Sequence, residues 1–425
     1  TGVFGNMGQP NHFANYISLG LASLGLLYVR WNLRVWLVVL LALPMLYALM
    51  LCESRSPWLY LLSFSAMAYF WQRQDKTLRR LLYYCLALLL GFFLMQFTAY
   101  IPWLSGGHVP QTFFDRLTTA QGGVIRRWIW YETGLMFAAH PLLGVGFGQF
   151  AWEHFLLGPE LRNPMINGLY NNAHNIVMQT AAEMGLAGVL LFAGMLGLWI
   201  RQAYRASRSV YHWWGVGVLA VLGIHSLLEY PLWYTYFLGI AALMLGMLDD
   251  TAHRLESIRI GRISLAAILL LGILSLLQVW QGYRMLEALS RPQPAGMSRV
   301  ELANRLMETH KQFLMQPYVE AMLSNISEGQ TGRLEVVRNV NESVMHFAPI
   351  ASFVYREVYL LGLSGEQEAA KLQLERAIWA YPGACPAFIE KLKGFAQRDP
   401  AHFSALVEFA QNKYEEYLAA AQGGR

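Results

Sequence analysis

The stretch "YNNAHN" at Tyr170–Asn175 sets one histidine among asparagines, directly ahead of the apolar run "IVMQTAAEMGLAGVLLF". An imidazole gains and loses its proton near neutral pH. At a water-facing helix start, His174 is therefore a candidate general base for an attacking hydroxyl. Asn171, Asn172 and Asn175 can cap that helix or bind a polar substrate. The plainer reading, an interfacial histidine with capping asparagines, is not overturned by this stretch alone. Arginine is the second theme: Arg126 and Arg127 in "GGVIRRWIWYETG" and Arg55 in "CESRSP". Guanidinium forks bind phosphate oxygens bidentately and stay charged, so they could hold a pyrophosphate and stabilise it as a leaving group. Each alone reads as a surface or headgroup arginine; several of them with a histidine on one membrane face point to chemistry there.

Further candidates for substrate positioning are Tyr170, Asn175, Asn11 and His12 in "GQPNHFANY", and His225 and Glu229 in "GIHSLLEYPLWY". The last two stand at i and i+4, so a helix would make them a simple polar pair. Glu183 lies about 13 Å beyond His174 along a helix and reads as a paired or protonated carboxylate joining helices. Ala181, Gly185 and Gly188 share a helical face and admit a close neighbour. The sequence holds no Walker loop, HExxH or GxSxG motif, and no acidic pair with metal spacing, which argues against ATP-driven transport and a zinc protease.

The elements that must position these residues follow from composition. Of 425 residues, 55% are hydrophobic and only 14% charged, and the mean hydropathy is +0.32. This predicts a multispanning membrane protein. The formal charge of +5 does not indicate nucleic acid, because much of the Lys and Arg lies in short runs between apolar segments. Cys52, Cys85 and Cys385 are far apart and suggest neither a metal site nor a disulfide framework.

Eight stretches are apolar enough to be spans: Phe13–Val29, Val35–Cys52, Pro57–Trp71, Leu81–Trp103, His174–Ile200, Trp214–Glu229, Leu232–Leu248 and Ile263–Gln281. The connections with Arg30 and Arg34; Arg73, Lys76, Arg79 and Arg80; Arg201, Arg205 and Arg208; and Arg254, Arg259 and Arg262 all fall on one face if these spans alternate. That face is expected to be cytoplasmic. Both termini, the loop 104–173 and His174 then lie on the other side. The chain starts at Thr1 with no signal peptide ahead of its first span, so further helices are expected to precede it.

From Tyr283 the pattern changes to amphipathic helices such as "AAKLQLERAIWAYPG", whose end resembles the second half of a tetratricopeptide-type hairpin. The expected architecture is all-α: a polytopic helical bundle over 1–282 with the long loop 104–173, and an α-helical domain over 283–425. Such a tail more often binds than catalyses.

Five segments in order, "GNMGQPNHFANY", "ESRSPWL", "RRWIWYETGLMFAAHPLLGVGFGQF", "NNAHNIVMQTAAEMGLAG" and "HSLLEYPLWYTYFLG", carry a family resemblance over Gly5–Gly239. The chain resembles the O-antigen ligase and Wzy-like superfamily of bacterial inner-membrane glycan transferases, and within it the pilin-type O-oligosaccharyltransferases called PglL. The resemblance implies transfer of a preassembled glycan from undecaprenyl pyrophosphate to an acceptor hydroxyl on the periplasmic side, without cofactor, nucleotide or obligatory metal. It implies a pilin-like acceptor protein, membrane lipids as surroundings and no nucleic-acid partner. The family's loop histidine matches His174, its arginine four residues before a tryptophan matches Arg126 with Trp130, and its Ser-Arg pair matches Ser54-Arg55; Arg127 has no such match. His174 is then expected to deprotonate the acceptor, with Arg126 and Arg55 on the pyrophosphate and inversion at the anomeric carbon. An alternative leaves His174 only positioning the acceptor. The same chemistry on lipid A core, as in a ligase, or on a growing glycan, as in a polymerase, stays open. So do a transporter or flippase and a non-catalytic scaffold.

Overall fold

The computed structural model describes residues 3–101, 121–205, 209–249, 258–291, 299–310, 313–326 and 334–423. Residues 104–120 of the expected loop, the end of the fourth span at Trp103, and Arg208 and Arg254 lie outside the described residues. Among those described there are seventeen α-helices and no strand.

The eight apolar stretches all coincide with helices: α1 (Pro10–Arg30), α2 (Val35–Leu51), α3 (Ser56–Gln74), α4 (Arg79–Met95), α7 (Ile176–Arg205), α8 (Val210–Ser226), α9 (Thr235–Met247) and α10 (Ile258–Ser290). Four runs, Pro10–Arg30, Arg79–Tyr100, Ile176–Tyr204 and Arg259–Ser290, are long and apolar enough to cross a membrane; α2 and α9 are apolar but shorter. The described part of the expected loop is largely helical, as α5 (Gln121–Ala139) and α6 (Phe150–Leu161).

Contacts divide the chain into two compact units. The first comprises Thr1–Gly134, Pro141–Leu143 and Asn172–Ala252; the second comprises Leu135–His140, Gly144–Asn171 and His253–Arg425. Helix α10, expected within 1–282, thus groups with the C-terminal helices.

In the first unit α1 packs against α8, α2 and α3, while α3 also packs against α4 and α8. Gly25 lets these helices approach, since a Cβ there would lie 2.8 Å from the Tyr84 ring and 3.3 Å from Trp213. Polar tips of the large aromatics find backbone acceptors: Tyr84 donates to the Leu21 carbonyl at 2.7 Å and Trp213 Nε1 to that of Phe64 at 3.3 Å. Leucines such as Leu40, Leu90 and Leu190 face outward, the arrangement suited to a hydrocarbon solvent.

Helix α7 departs from expectation. The small face is expected to admit a neighbouring helix, but Gly185 takes φ 61° and ψ −160° and breaks the helix there. The next two amides turn to the loop ahead of α6: Leu186 N–H donates to Pro141 O at 2.8 Å, and Ala187 N–H to Leu142 O at 3.1 Å. A Cβ on Gly185 would lie about 2.5 Å from the Leu142 carbonyl, so both conformation and space call for glycine.

The second unit holds α6 and α10 with α11 (Arg299–His310), α12 (Gln316–Ile326), α13 (Leu334–Phe347), α14 (Ala351–Leu363), α15 (Gln367–Ala380), α16 (Cys385–Arg398) and α17 (Pro400–Gly423). Consecutive helices pair, most closely α14 with α15 and α16 with α17, and α15 packs on α17 and α6. The "LERAIWAYPG" stretch forms the second half of α15 and the turn after it, and α15 pairs with α14. Leu374, Ala377, Ile378, Leu392, Phe403 and Leu406 make the core.

Candidate functional site

Helix α8 ends at Ser226 and the chain turns through Leu227–Tyr230 into a 3-10 turn at Pro231–Trp233. Pro231 explains the stop: a residue before proline is driven out of the helical region, and Tyr230 has φ −124° and ψ 52°. Glu229 therefore leaves the helical face of His225, and the expected His225–Glu229 side-chain pair does not form. Glu229 becomes the hub of another cluster, built entirely in the first unit.

Glu229 is buried and receives three side chains. Its Oε2 lies 2.7 Å from His174 Nδ1, and its Oε1 accepts from Arg126 at 3.0 Å and from Asn11 Nδ2 at 3.2 Å. Burial alone would raise its pKa. The hydrogen bond and charge of His174, followed by the charges of Arg126 and His225, outweigh burial and hold the carboxyl below the usual carboxylate range. A carboxylate only accepts, so His174 donates through Nδ1–H; a neutral ring in this tautomer carries its lone pair on Nε2. Among the described residues Nε2 has no hydrogen-bond partner, and the side chain is 24% exposed. The arrangement is a carboxylate-oriented imidazole with its basic nitrogen reachable.

The backbone around His174 is built to hold it. His174 has φ 50°, in the left-handed region, which costs energy for a residue with a Cβ and needs local support. Its N–H donates to Asn172 Oδ1 at 3.1 Å, and the preceding Ala173 N–H donates to Gln179 Oε1 at 2.7 Å. Asn175 caps α7, its Oδ1 accepting from Val177 and Met178 N–H at 3.0 and 3.1 Å, while its Nδ2 donates to Leu227 O at 3.0 Å. That last bond ties the start of α7 to the turn carrying Glu229. The Tyr230 ring packs edge-on against His174 at 5.6 Å. Burial, aided by Tyr234 and the Glu229 charge, pushes the Tyr230 hydroxyl up to about 12, so it stays a neutral donor.

Helix α5 supplies the arginine. Arg126 and Trp130 stand one turn apart on one face. Trp130 Nε1 donates to Ala173 O at 2.9 Å, fixing the helix beside His174, while Arg126 reaches Glu229. The other donors of Arg126 have no partner among the described residues, and its side chain is 38% exposed. Arg127, the next residue, is exposed and turned to another face of the helix.

The remaining expected residues divide. Arg55 is exposed at the cap of α3, in the turn after α2, whose Leu51 carbonyl accepts from Val3 N–H at 2.9 Å just ahead of α1. His12 and His225 are buried, with rings 5.4 Å apart, and His12 packs on Tyr234 at 4.6 Å. His225 Nδ1 lies 2.6 Å from Asn15 Nδ2. Tyr170 belongs to the second unit, edge-on to His154 at 5.3 Å. Sequence reasoning missed Gln179, Trp130 as an anchor, and the partnership of Glu229 with His174. Only Trp130 left a signal, its spacing of four from Arg126.

Three family models match the chain: "Protein glycosylation ligase" over residues 3–28, "O-Antigen ligase" over 40–193, and "Virulence factor membrane-bound polymerase, C-terminal" over 213–392. The chain is 26% identical over 311 residues to a "General O-oligosaccharyltransferase" of Acinetobacter baylyi (strain ATCC 33305 / BD413 / ADP1), covering 69% of this chain and 52% of the relative. It is 24% identical over 242 residues to a "ComP-specific O-oligosaccharyltransferase" of the same organism, covering 55% of this chain and 41% of that relative. The chain thus spans about half the length of the curated relatives it matches. No solved structure matches it.

Proposed function

Because this chain belongs to the O-antigen ligase and Wzy-like superfamily and is PglL-like, an integral membrane protein by its apolar helices, we propose that it is an O-oligosaccharyltransferase. It moves a preassembled glycan from undecaprenyl pyrophosphate to a Ser or Thr hydroxyl of a pilin-like or other periplasmic protein. The site faces the periplasm at the inner membrane, where a lipid-anchored donor presents its pyrophosphate at headgroup height. The observation that carries this reading is the His174–Glu229 contact of 2.7 Å with Nε2 left reachable.

In the proposed step His174 Nε2 takes the proton of the acceptor hydroxyl as its oxygen attacks the anomeric carbon. The bond from that carbon to the pyrophosphate oxygen breaks, and undecaprenyl pyrophosphate leaves with the electron pair. Glu229 stabilises the imidazolium that forms, as an acidic partner does in other histidine-based sites. Arg126 uses the guanidinium edge not engaged by Glu229 to hold the leaving pyrophosphate, joined by Arg55; Arg127, exposed on another face of α5, is not assigned to that contact. A single displacement inverts the anomeric centre, and it runs without metal or nucleotide. Asn11 holds Glu229 from the α1 side, and His12 and His225 support the same turn from within the bundle; Tyr170 is kept as a substrate-positioning residue.

The test is mass spectrometry of acceptors in cells that hold a lipid-linked oligosaccharide, a pilin and a lipid A core, with the full-length protein or its His174→Ala form. Glycan on a pilin serine or threonine, lost in the variant, is the expected result. Glycan only on lipid A core would make the protein a ligase, and no His174-dependent transfer to either would reject both.

A further inference from the structure

The helical hairpins of the second unit leave a groove that the transfer step does not use. The second helices α15 and α17 pack on one another, while the first helices α14 and α16 flank an opening of about 350 Å³. Its floor is aromatic: Tyr355 pairs with Phe388 at 4.7 Å between ring centres, and Tyr359 with Phe395 at 4.4 Å. Small residues, among them Ala351 and Ala387, keep one end open. Each wall carries one cation, Arg356 on α14 and Lys391 on α16, and no carboxylate is among the described residues lining the groove. Arg356 is fixed in place, donating to Ser324 Oγ at 2.6 Å and to Asn325 Oδ1 at 3.1 Å. Lys391 is exposed and has no carboxylate within ion-pair distance among the described residues.

From this charge complementarity we propose that the groove docks an acidic segment of the acceptor protein, an inference that rests on the protein-acceptor reading above. An extended peptide fits the shape. Apolar side chains enter between the aromatic rings, and a carboxylate meets the cations on the walls. The volume is in the range of pockets that seat a group of a few side chains. Two cations are far fewer than a nucleic-acid track requires, and an aromatic floor between helices suits side chains better than a polyanion. Because the groove shares no residue with the reacting groups, acceptor choice can be set by binding, independently of the hydroxyl chemistry.

The experiment uses the full chain in detergent and a fluorescein-labelled dodecapeptide rich in Asp and Leu, with a Lys-for-Asp peptide as its counterpart. Fluorescence anisotropy is expected to show binding of the acidic peptide only. Lys391→Glu, at an exposed position, weakens it about tenfold by reversing a rim charge, and Lys391→Arg retains it. Equal binding of both peptides, or acidic-peptide binding that Lys391→Glu does not change, overturns the inference. Glycan transfer to the acceptor protein separates it from the reading it rests on. If the wild-type chain transfers and Lys391→Glu raises KM at constant kcat, docking holds; if KM does not move, docking alone fails; if the wild type transfers nothing, the protein-acceptor reading itself fails.

Discussion

Two histidine clusters lie in the same helical unit and differ in every property that matters for chemistry. His174 stands at a helix start, in a left-handed backbone, bonded to a carboxylate and partly exposed. His12 and His225 sit inside α1 and α8, wholly buried, and their ring partners are each other, Tyr234 and Phe237. The Nε2 atoms of both buried rings have no hydrogen-bond partner among the described residues. A reactive base needs a hydrogen-bonded orienting carboxylate and a route to substrate; the two buried rings feel the Glu229 charge but have neither. The comparison teaches why the base proposed above is the histidine outside the helix and not one of the two inside it.

The sharpest way to break this contrast is His174→Gln. Loss of a general base is expected to lower the transfer rate by about 10² to 10⁴-fold, and an unchanged pH–rate profile in this variant would remove the base assignment in favour of acceptor positioning. Glu229→Gln keeps the shape but lets the amide donate to His174, favouring the wrong tautomer; the expected fall in kcat is about 10²-fold, read in single-turnover transfer. Arg126→Lys keeps a charge but loses the fork that serves Glu229 and phosphate together, so an increase of about tenfold in KM for the lipid-linked donor is expected. Stability gives a quieter signal. A carboxyl whose folded pKa lies below its ordinary 4.5 adds stability that is complete above that value and lost as pH falls through the folded pKa. The wild-type melting temperature should therefore drop more steeply below about pH 4.5 than that of Glu229→Gln. Smallest of all, His225→Phe should leave the transfer rate within about threefold, since it removes a buried ring with an unmet nitrogen rather than a reacting group. A large loss of kcat in this variant with an unchanged melting temperature would erase the distinction between the clusters.

Much of this organisation is written in the chain as pattern. Hydropathy located every apolar helix because lipid-facing and packed residues are both apolar over the length of a span. His174, Arg126, Asn11 and Glu229 could each be picked out, since a polar group beside a membrane segment is conspicuous. Their partnership could not. Glu229 reaches His174, 55 positions away, instead of His225 at i−4, and the difference turns on how α8 ends before Pro231. Gly185 was equally ambiguous: a glycine among small residues fits both a close helix contact and a break, and only the loop carbonyls opposite decide between them.

That break bears on how the protein is assembled. The amides of Leu186 and Ala187 take their acceptors from Pro141 and Leu142, a segment made earlier in the chain than α7. In an apolar setting two open donors are costly, so α7 cannot take its final bent shape until that segment is seated against it. The bend in α7 and the seating of that segment are thus one structural unit, so a change that displaces Pro141–Leu143 is expected to disturb the bend as well.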